Sequence, residues 1–203
     1  MTDIKSNMEY GIPWLLLLQT FYEGKLLHLD NKKWAELLQA LEQEPILEYN
    51  GIREGYKLLK QADEKEIKEL QYSFNYLFVG PDKLKAPPYE SCYGNEERTL
   101  MQNTSMAVRK AYEAEGLVID KKNIEPDDFM VYELEFLLYL MSKEEADADS
   151  KVRSFLDSHL FKWYAPHAAE IREYSNNRIC TGMADILVGV MEYLKKAMND
   201  LDK

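Results

Sequence analysis

The sequence contains little glycine, proline or cysteine for its length. Nine Gly and seven Pro occur in 203 residues, while Leu, Glu, Lys, Ala and Met recur throughout, which favours helices. The two cysteines, Cys92 and Cys180, form no CxxC pair. Their spacing therefore indicates neither a disulfide framework nor a zinc site. The composition predicts an all-α protein in a reducing compartment.

Long hydrophobic runs are also absent from the sequence. No stretch reaches the roughly 18 to 20 apolar residues that a membrane span requires. The N-terminal apolar run 12–18 is interrupted by Pro13, follows the acidic Asp3 and Glu9, and lacks a small-residue cleavage pattern. It is therefore not a secretion signal. We expect a cytoplasmic protein that does not insert into a membrane.

Positive charge is scarce as well. Lys and Arg total 25 against 36 Asp and Glu, which gives a formal net charge of -11. Nucleic acid is excluded as a partner on this ground, because phosphate binding depends on clustered cationic side chains. A basic peptide would be attracted instead. Apolar residues make up 46% of the chain, enough to fold as one globular unit or as two small lobes.

The sequence lacks the common catalytic motifs. It contains no phosphate-binding GxxxxGK[ST] loop, GxGxxG, HExxH or GxSxG. The three histidines are scattered, and His159 and His167 are not spaced as a helical pair of metal ligands. With so many acids, chance carboxylate pairs are common and indicate no acid/base chemistry. We expect neither an enzyme nor a bound cofactor or metal.

Hydrophobic periodicity predicts about eight to ten helices in two helical halves. Asp63 with Glu66 is typical of a helix-capping box, whereas Gly51 and Gly55 weaken the third helix. Residues 81–96 contain three prolines and a glycine, which predicts a loop joining an N-terminal half, about 1–80, to a C-terminal half, about 97–203. We treat the whole, 1–203, as one domain. The expected helices cover about 12–24, 31–41, 47–59, 63–80, 97–115, 126–142, 149–162, 165–176 and 180–200.

Two segments are more informative than the rest. In 72–93, Phe74, Leu77 and Phe78 share a helix face, and a double proline precedes Tyr89 and Tyr93. The apolar positions are expected in the core, and Pro87 and Pro88 are expected to fix an extended passage.

The second segment, 125–141, begins Glu-Pro-Asp-Asp-Phe. Pro126 suits the first position of a helix. The positive end of the helix dipole would stabilise the negative charges of Glu125, Asp127 and Asp128 there. The helix that follows is apolar around most of its circumference. Its two acids, Glu133 and Glu135, cannot both face water easily, so at least one of them should have a cationic partner or lie along a groove. Arg109, Lys110 or Arg153 could pair with them internally, and a ligand-facing role stays open.

Together these segments resemble the TorD/DmsD/NarJ family of chaperones for molybdenum-containing oxidoreductases. The likeness covers most of the chain. The family pattern has a Tyr-x-x-Leu-Phe-x-Gly helix end, an Ala-Pro-Pro-x-x-Ser-x-Tyr loop, a Glu-Pro-x-Asp-His helix start and a Phe-x-x-x-His-Leu-x-x-Trp-x-Pro stretch. The matching residues here are Tyr76, Leu77, Phe78, Ala86, Pro87, Pro88, Tyr93, Glu125, Asp128, Phe155, His159, Leu160, Trp163 and Pro166. One departure matters for the site, because Phe129 stands where the family has His.

The resemblance implies a cytoplasmic chaperone of a DMSO reductase type molybdoenzyme. Such chaperones bind the twin-arginine signal peptide of the enzyme's catalytic subunit and hold it until the molybdopterin is inserted. We expect Asp128→Ala to weaken peptide binding while leaving the fold largely intact, and His159 and Trp163 to be core residues with satisfied polar groups. The candidate peptide-binding residues are Glu125, Asp127, Asp128, Phe129, Tyr132 and Phe136.

Alternatives remain open at this point. The chain could be an adaptor that docks on a cytoplasmic molybdoenzyme subunit without recognising a signal peptide. Guanine nucleotide binding has been associated with the family, although this sequence has no phosphate loop. The identity of the client and the formation of a homodimer are also open.

Overall fold

The computed structural model describes residues 8–81, 83–94, 103–119 and 125–200. These parts of the chain are all-α, as predicted, and contain nine α-helices and three short 3-10 helices. The α-helices are α1 Ile12–Tyr22, α2 Asn31–Leu41, α3 Asn50–Gln61, α4 Glu64–Phe78, α5 Asn103–Ala114, α6 Met130–Ser142, α7 Ala148–Ser158, α8 Leu160–Tyr174 and α9 Arg178–Asn199. The 3-10 helices are Glu9–Gly11, Lys25–His28 and Glu90–Tyr93.

The helix starts that carry a clear capping residue lie where the sequence predicts them. The Asp30 side chain accepts a hydrogen bond from the Lys33 amide at the start of α2. At α4, Asp63 and Glu66 form the predicted capping box. Each cap satisfies amides that have no partner within the helix, which is why these starts are encoded locally.

Contacts divide the chain into two compact units. Unit 1 comprises Met1–Pro87 and His167–Lys203, and unit 2 comprises Pro88–Pro166. The first boundary falls within the expected loop 81–96. The second has no counterpart in the expected C-terminal half, 97–203. The physical reason is that α9 buries its apolar stripe within unit 1, chiefly against α3.

Close packing of α3 on α9 explains the glycines that weakened the prediction of α3. A Cβ on Gly55 would lie 2.4 Å from the carbonyl oxygen of Gly182, and one on Gly189 would lie 2.4 Å from the Ile52 amide nitrogen. The two helix backbones can approach this closely because no side chain separates them. The glycines are therefore packing residues rather than breaks in the helix.

The core of unit 1 contains the predicted apolar positions. Phe74, Leu77 and Phe78 are buried, and Phe21 packs edge-on against Phe74 and Phe78. The stripe predicted on the last helix is also buried in α9; it consists of Met183, Leu187, Val190, Leu194 and Met198. Tyr76 differs from its neighbours in the motif, because its side chain is 44% exposed.

Pro166 does not begin a helix, contrary to the expected start near residue 165. It lies inside α8, which runs through Leu160–Tyr174. The break between α7 and α8 falls instead at His159, whose φ of -129° and ψ of -94° are not helical. A proline inside a helix removes one hydrogen bond, and here the rest of the helix continues around it.

Among the helices of the described ranges, none is both long enough and apolar enough to cross a bilayer.

Candidate functional site

Within unit 2, the chain brings parts of the two informative segments together. The Met130 amide donates to the Pro88 carbonyl at 2.9 Å, and the Glu90 amide donates to the Asp128 carbonyl at 3.1 Å. Tyr89 and Phe129 form an isolated antiparallel bridge. The proline-rich loop is thus hydrogen-bonded to the residues just before α6.

This pairing changes where α6 begins. The helix was expected from residue 126, but it begins at Met130 with Phe129 as its N-cap. The Phe129 amide donates to the Pro126 carbonyl at 3.3 Å, which closes a turn. Glu125, Asp127 and Asp128 therefore precede the helix instead of forming its first turn. The helix-start prediction is wrong because backbone bonds to the loop replace the first helical turn.

Asp128 is completely buried and bonded to internal donors. Its carboxylate accepts the Ser91 amide at 2.7 Å and the Ser105 hydroxyl. A buried carboxylate with two such donors fixes the loop, because its own desolvation is compensated by charge-assisted hydrogen bonds. Removing it should therefore affect the fold, contrary to the expectation that Asp128→Ala would leave the fold largely intact.

Asp127 is also buried, and its partner is cationic. Arg109 of α5 donates from Nε at 2.9 Å and from Nη2 at 2.5 Å to the same oxygen, Oδ2. The Tyr112 hydroxyl donates to the Asp127 carbonyl at 3.1 Å. The neighbouring carboxylate raises the pKa of Arg109. Arg109, which the sequence offered as a partner for Glu133 or Glu135, thus pairs with Asp127.

Glu125 is half-buried and is engaged by the loop as well. The Tyr89 hydroxyl donates to its Oε1 at 2.5 Å. Burial, followed by this contact with Glu125, raises the pKa of the Tyr89 hydroxyl. All three acids proposed from the sequence therefore have partners inside unit 2.

Among the residues that the structure describes, none forms an ion pair with Glu133. It is fully buried, and Trp163 Nε1 donates to its Oε2 at 3.1 Å. Burial, and then the charge of Glu90, raises the pKa of the Glu133 carboxyl well above its usual range, which favours its neutral form. Internal pairing with a cation, one of the two possibilities left open by the sequence, is therefore not what Glu133 shows; the neutral form reduces the cost of its burial instead. Glu135 is exposed.

His159 and Trp163 are core residues with polar partners, which is the arrangement expected from the sequence. His159 Nδ1 lies 2.8 Å from an oxygen of Glu90, and both side chains are buried. Trp163 stacks on Tyr93 with 5.6 Å between ring centroids. A cluster of buried polar groups, Glu90, Glu133 and His159, thus lies inside unit 2.

The aromatic candidates differ in exposure. Phe129 is half-buried between Tyr89, at 5.4 Å, and Tyr132, at 5.5 Å between ring centroids. Phe136 is buried and packs against Tyr112 and Phe155. Phe129 and Tyr132 thus present partly exposed aromatic surface, whereas Phe136 lies deeper.

Sequence reasoning missed a cavity of about 350 Å³ in unit 2. Phe136, Leu140 and Phe155 form its apolar part, and Ser150, Ser154 and Ser158 line one side of it. The serines recur every four residues along α7, which places them on one helix face. That spacing was the available signal, but it is a common surface pattern and indicates no function by itself.

The charged residues at this cavity are mostly acidic. Lys151 Nζ lies 3.0 Å from Glu115, 3.0 Å from Glu145 and 3.3 Å from Asp147. These contacts, led by the bond to Glu145, raise the pKa of Lys151. Lys143 Nζ lies 3.6 Å from Glu145 as well, so three carboxylates share two ammonium groups and the cluster carries a net negative charge.

The described ranges contain possible metal ligands and two cysteines, Cys92 and Cys180. In the described ranges, no three His, Cys, Asp or Glu side chains are grouped to hold a metal ion. Cys92 and Cys180 are buried free thiols, and burial raises the pKa of Cys180 to about 12. A thiol with so high a pKa is a poor nucleophile.

Comparison with known proteins identifies the family. A model of the family described as "Nitrate reductase delta subunit" matches residues 25–169, which is more than half of the chain. The chain belongs to this family. The resemblance to the TorD/DmsD/NarJ chaperones is thereby confirmed.

Two curated relatives of this nitrate reductase delta subunit family member are named as chaperones. A "Probable Tat proofreading chaperone DmsD" of Haemophilus influenzae is 22% identical over 66% of this chain and 63% of its own length. The match thus spans less than two thirds of that relative. A "Chaperone protein TorD" of Vibrio parahaemolyticus is 26% identical, over 68% of each chain. These are names of chaperones rather than of catalysts, in agreement with the prediction that the chain is not an enzyme.

A solved structure also matches the chain. It is described as a putative redox enzyme maturation protein from Archaeoglobus fulgidus, with 22% identity, a TM-score of 0.49 and 92% of both chains covered.

Proposed function

We propose that this chaperone binds the twin-arginine signal peptide of a molybdopterin-containing oxidoreductase of the DMSO reductase type. It holds the peptide in the cytoplasm until the cofactor is inserted and folding is complete. The family membership and the relative named as a Tat proofreading chaperone support this function. The observation that carries it is the cavity of unit 2, which is lined by aromatic residues such as Phe136 and Phe155 and by the acids Glu115 and Asp147.

The charge of the chain suits such a ligand. A peptide with two arginines and an apolar stretch carries positive charge, and this chain has a formal net charge of -11. Opposite charges speed the encounter of two partners and fix their orientation. The apolar stretch requires apolar surface, which Phe129 and Tyr132 present in part.

The ion pairs and the apolar contacts contribute different amounts to the binding free energy. An exposed ion pair contributes about 0 to 1 kcal/mol, whereas micromolar affinity requires roughly 8 kcal/mol. Burial of apolar surface must therefore supply most of the binding free energy. The acids act mainly on the rate of association and on the register of the peptide.

The acids predicted from the sequence take a supporting role in this proposal. Asp127 and Asp128 are committed to Arg109, Ser91 and Ser105. Asp128 holds the loop through Ser91, and Asp127 holds α5 through Arg109. Both contacts fix the segment just before α6 and so keep Phe129 and Tyr132 in place. Their carboxylates position the surface without touching the peptide.

A titration with a synthetic peptide tests the function. The labelled probe carries two adjacent arginines followed by an apolar segment, and the control peptide has the same composition in scrambled order. We expect saturable, micromolar binding of the probe and much weaker binding of the scrambled peptide. Equal binding of both peptides, or of neither, would rule out signal-peptide recognition.

A second candidate, an adaptor that docks on the enzyme subunit itself, is favoured by an apolar stripe on unit 1. Tyr72, Tyr76 and Val79 are 76%, 44% and 62% exposed. Tyr72 and Tyr76 share one face of α4, and Val79 follows directly after the end of that helix. Exposed apolar surface of this kind is typical of protein contacts. Pull-down of the client with and without its leader separates the two functions, because an adaptor retains the leaderless enzyme.

A further inference from the structure

The cavity of unit 2 combines apolar walls with unused hydrogen-bond acceptors. Phe136 and Phe155 contribute aromatic surface, while Ser154 and Ser158 contribute hydroxyl groups. The 350 Å³ volume lies near the lower end of the range for small-molecule sites, about 300 to 1,000 Å³. It can thus take one long side chain rather than a folded segment.

His159 supplies the most specific feature of this cavity. The residue lines the cavity, yet it is only 6% exposed. Its Nδ1 is 2.8 Å from the Glu90 carboxylate. A carboxylate can only accept a hydrogen bond, so Nδ1 donates to Glu90. The other ring nitrogen, Nε2, takes no part in that bond.

Glu115 and Asp147 add negative charge at the same cavity. Both line it, and both lie within 3.3 Å of Lys151, which also contacts Glu145. Lys143 Nζ also lies 3.6 Å from Glu145, so two ammonium groups face three carboxylates and the cluster keeps a residual negative charge. An anionic ligand is therefore repelled, and a cation gains from the residual charge.

Resting on the proposed function, we infer that this cavity is the subsite for an arginine side chain of the signal peptide. A guanidinium presents five N–H donors in a plane, stacks on aromatic rings and is weakly hydrated. The cavity offers the complement in the Ser154 and Ser158 hydroxyls, the Phe155 ring and the carboxylates of Glu115 and Asp147. A lysine ammonium is compact and strongly hydrated, so it uses these acceptors less well.

Two variants test the site in the full-length chain. Ser154→Leu fills the cavity from an exposed helix position, and Ser142→Leu, at an exposed position of α6 away from the cavity, is its matched control. Glu115→Gln removes one carboxylate of the cavity, and Glu144→Gln removes one outside it. We expect each cavity variant to weaken binding of the Arg-Arg probe peptide about tenfold or more, as loss of a charge-assisted hydrogen bond does, and each control to bind like the wild type.

A spectroscopic measurement separates contact from structural damage. In protein labelled with 15N at histidine, the probe peptide should shift the Nε2 resonance of His159. The resonance of His167, which is bonded to Tyr22 in unit 1, should not change. A probe peptide with two lysines should bind more weakly and shift His159 less.

The possible failures are distinguishable. If the wild type does not bind the Arg-Arg probe, the proposed function itself fails. If it binds the probe while both cavity variants bind equally well and His159 does not shift, signal-peptide binding stands and the arginine subsite is overturned. Equal affinity for the lysine peptide likewise overturns the subsite alone.

Discussion

The Ser91 amide donates to the carboxylate of Asp128 at 2.7 Å across 37 positions of sequence. This bond joins the proline-rich loop to the start of α6 inside unit 2. It also shows why Asp128, which the sequence proposes as part of a ligand site, stabilises the loop instead. The carboxylate is already bonded to donors within the protein.

Replacing Asp128 by Ala should destabilise unit 2. The substitution leaves the Ser91 amide and the Ser105 hydroxyl buried without an acceptor, and each unpaired buried group costs about 1 to 3 kcal/mol. Urea unfolding measures the change in the free energy of unfolding. The control is Glu135→Ala at an exposed position of α6, which should stay within about 0.5 kcal/mol of the wild type. Unchanged stability of Asp128→Ala would show that the carboxylate does not brace the loop.

Glu133→Gln should become progressively more stabilising, relative to the wild type, as the pH rises. The pKa of Glu133 is raised in the folded protein. Its stabilisation is therefore fully present below the unfolded pKa, near 4.3, and is lost as the pH rises through the folded pKa. Gln stays neutral throughout. Urea unfolding between pH 5 and pH 9, with Glu135→Gln as the control, measures this difference, and a difference independent of pH would refute the protonated state of Glu133.

Gly55→Ala should destabilise unit 1 through the contact of α3 with α9. The added Cβ would lie 2.4 Å from the Gly182 carbonyl oxygen, so a backbone must move, and overpacking of this kind costs about 1 to 3 kcal/mol. At Gly94 a Cβ meets its nearest atom at 3.6 Å, which makes Gly94→Ala the matched control. Thermal unfolding compares the two, and equal midpoints would contradict the close packing.

Added salt should slow binding of the Arg-Arg peptide more than it speeds dissociation. Salt screens the attraction between the acidic chain and the basic peptide, with a Debye length of about 10 Å at 0.1 M. Buried apolar contacts, which hold the peptide once bound, are less sensitive. Stopped-flow association at several salt concentrations, with an uncharged apolar peptide as the reference, gives the two rate constants. An association rate that does not respond to salt would argue against contact between arginine and acid.

The fold was predictable where its signals are local. The capping box of Asp63 and Glu66 and the buried stripe of α9 were read from adjacent residues or from a single helical period. The start of α6 was not predictable, because Pro126 and its acidic neighbours suit a helix start equally well. Their backbone groups are bonded instead to a loop far away in sequence. The expected helix start from about residue 97 to 102 lies outside the described residues.

The candidate site was predictable only in part. The sequence identified the aromatic residues Phe129 and Tyr132 near the start of α6, but it could not show that Asp127 already has a cationic partner. It also gave no indication of the cavity at His159, since Ser154 lies in α7, Phe136 in α6 and Glu115 in the turn after α5.

The sequence alone determined the helical class, the caps, the acidic character and the family, because each depends on composition, on residues within a few positions or on an ordered motif. Tertiary structure decided which acids are charged, paired or protonated. It also decided where a cavity opens. The sequence identifies each Asp and Glu but not its surroundings. The protonation of a carboxylate and its access to a ligand depend on which donors and apolar groups the fold places around it.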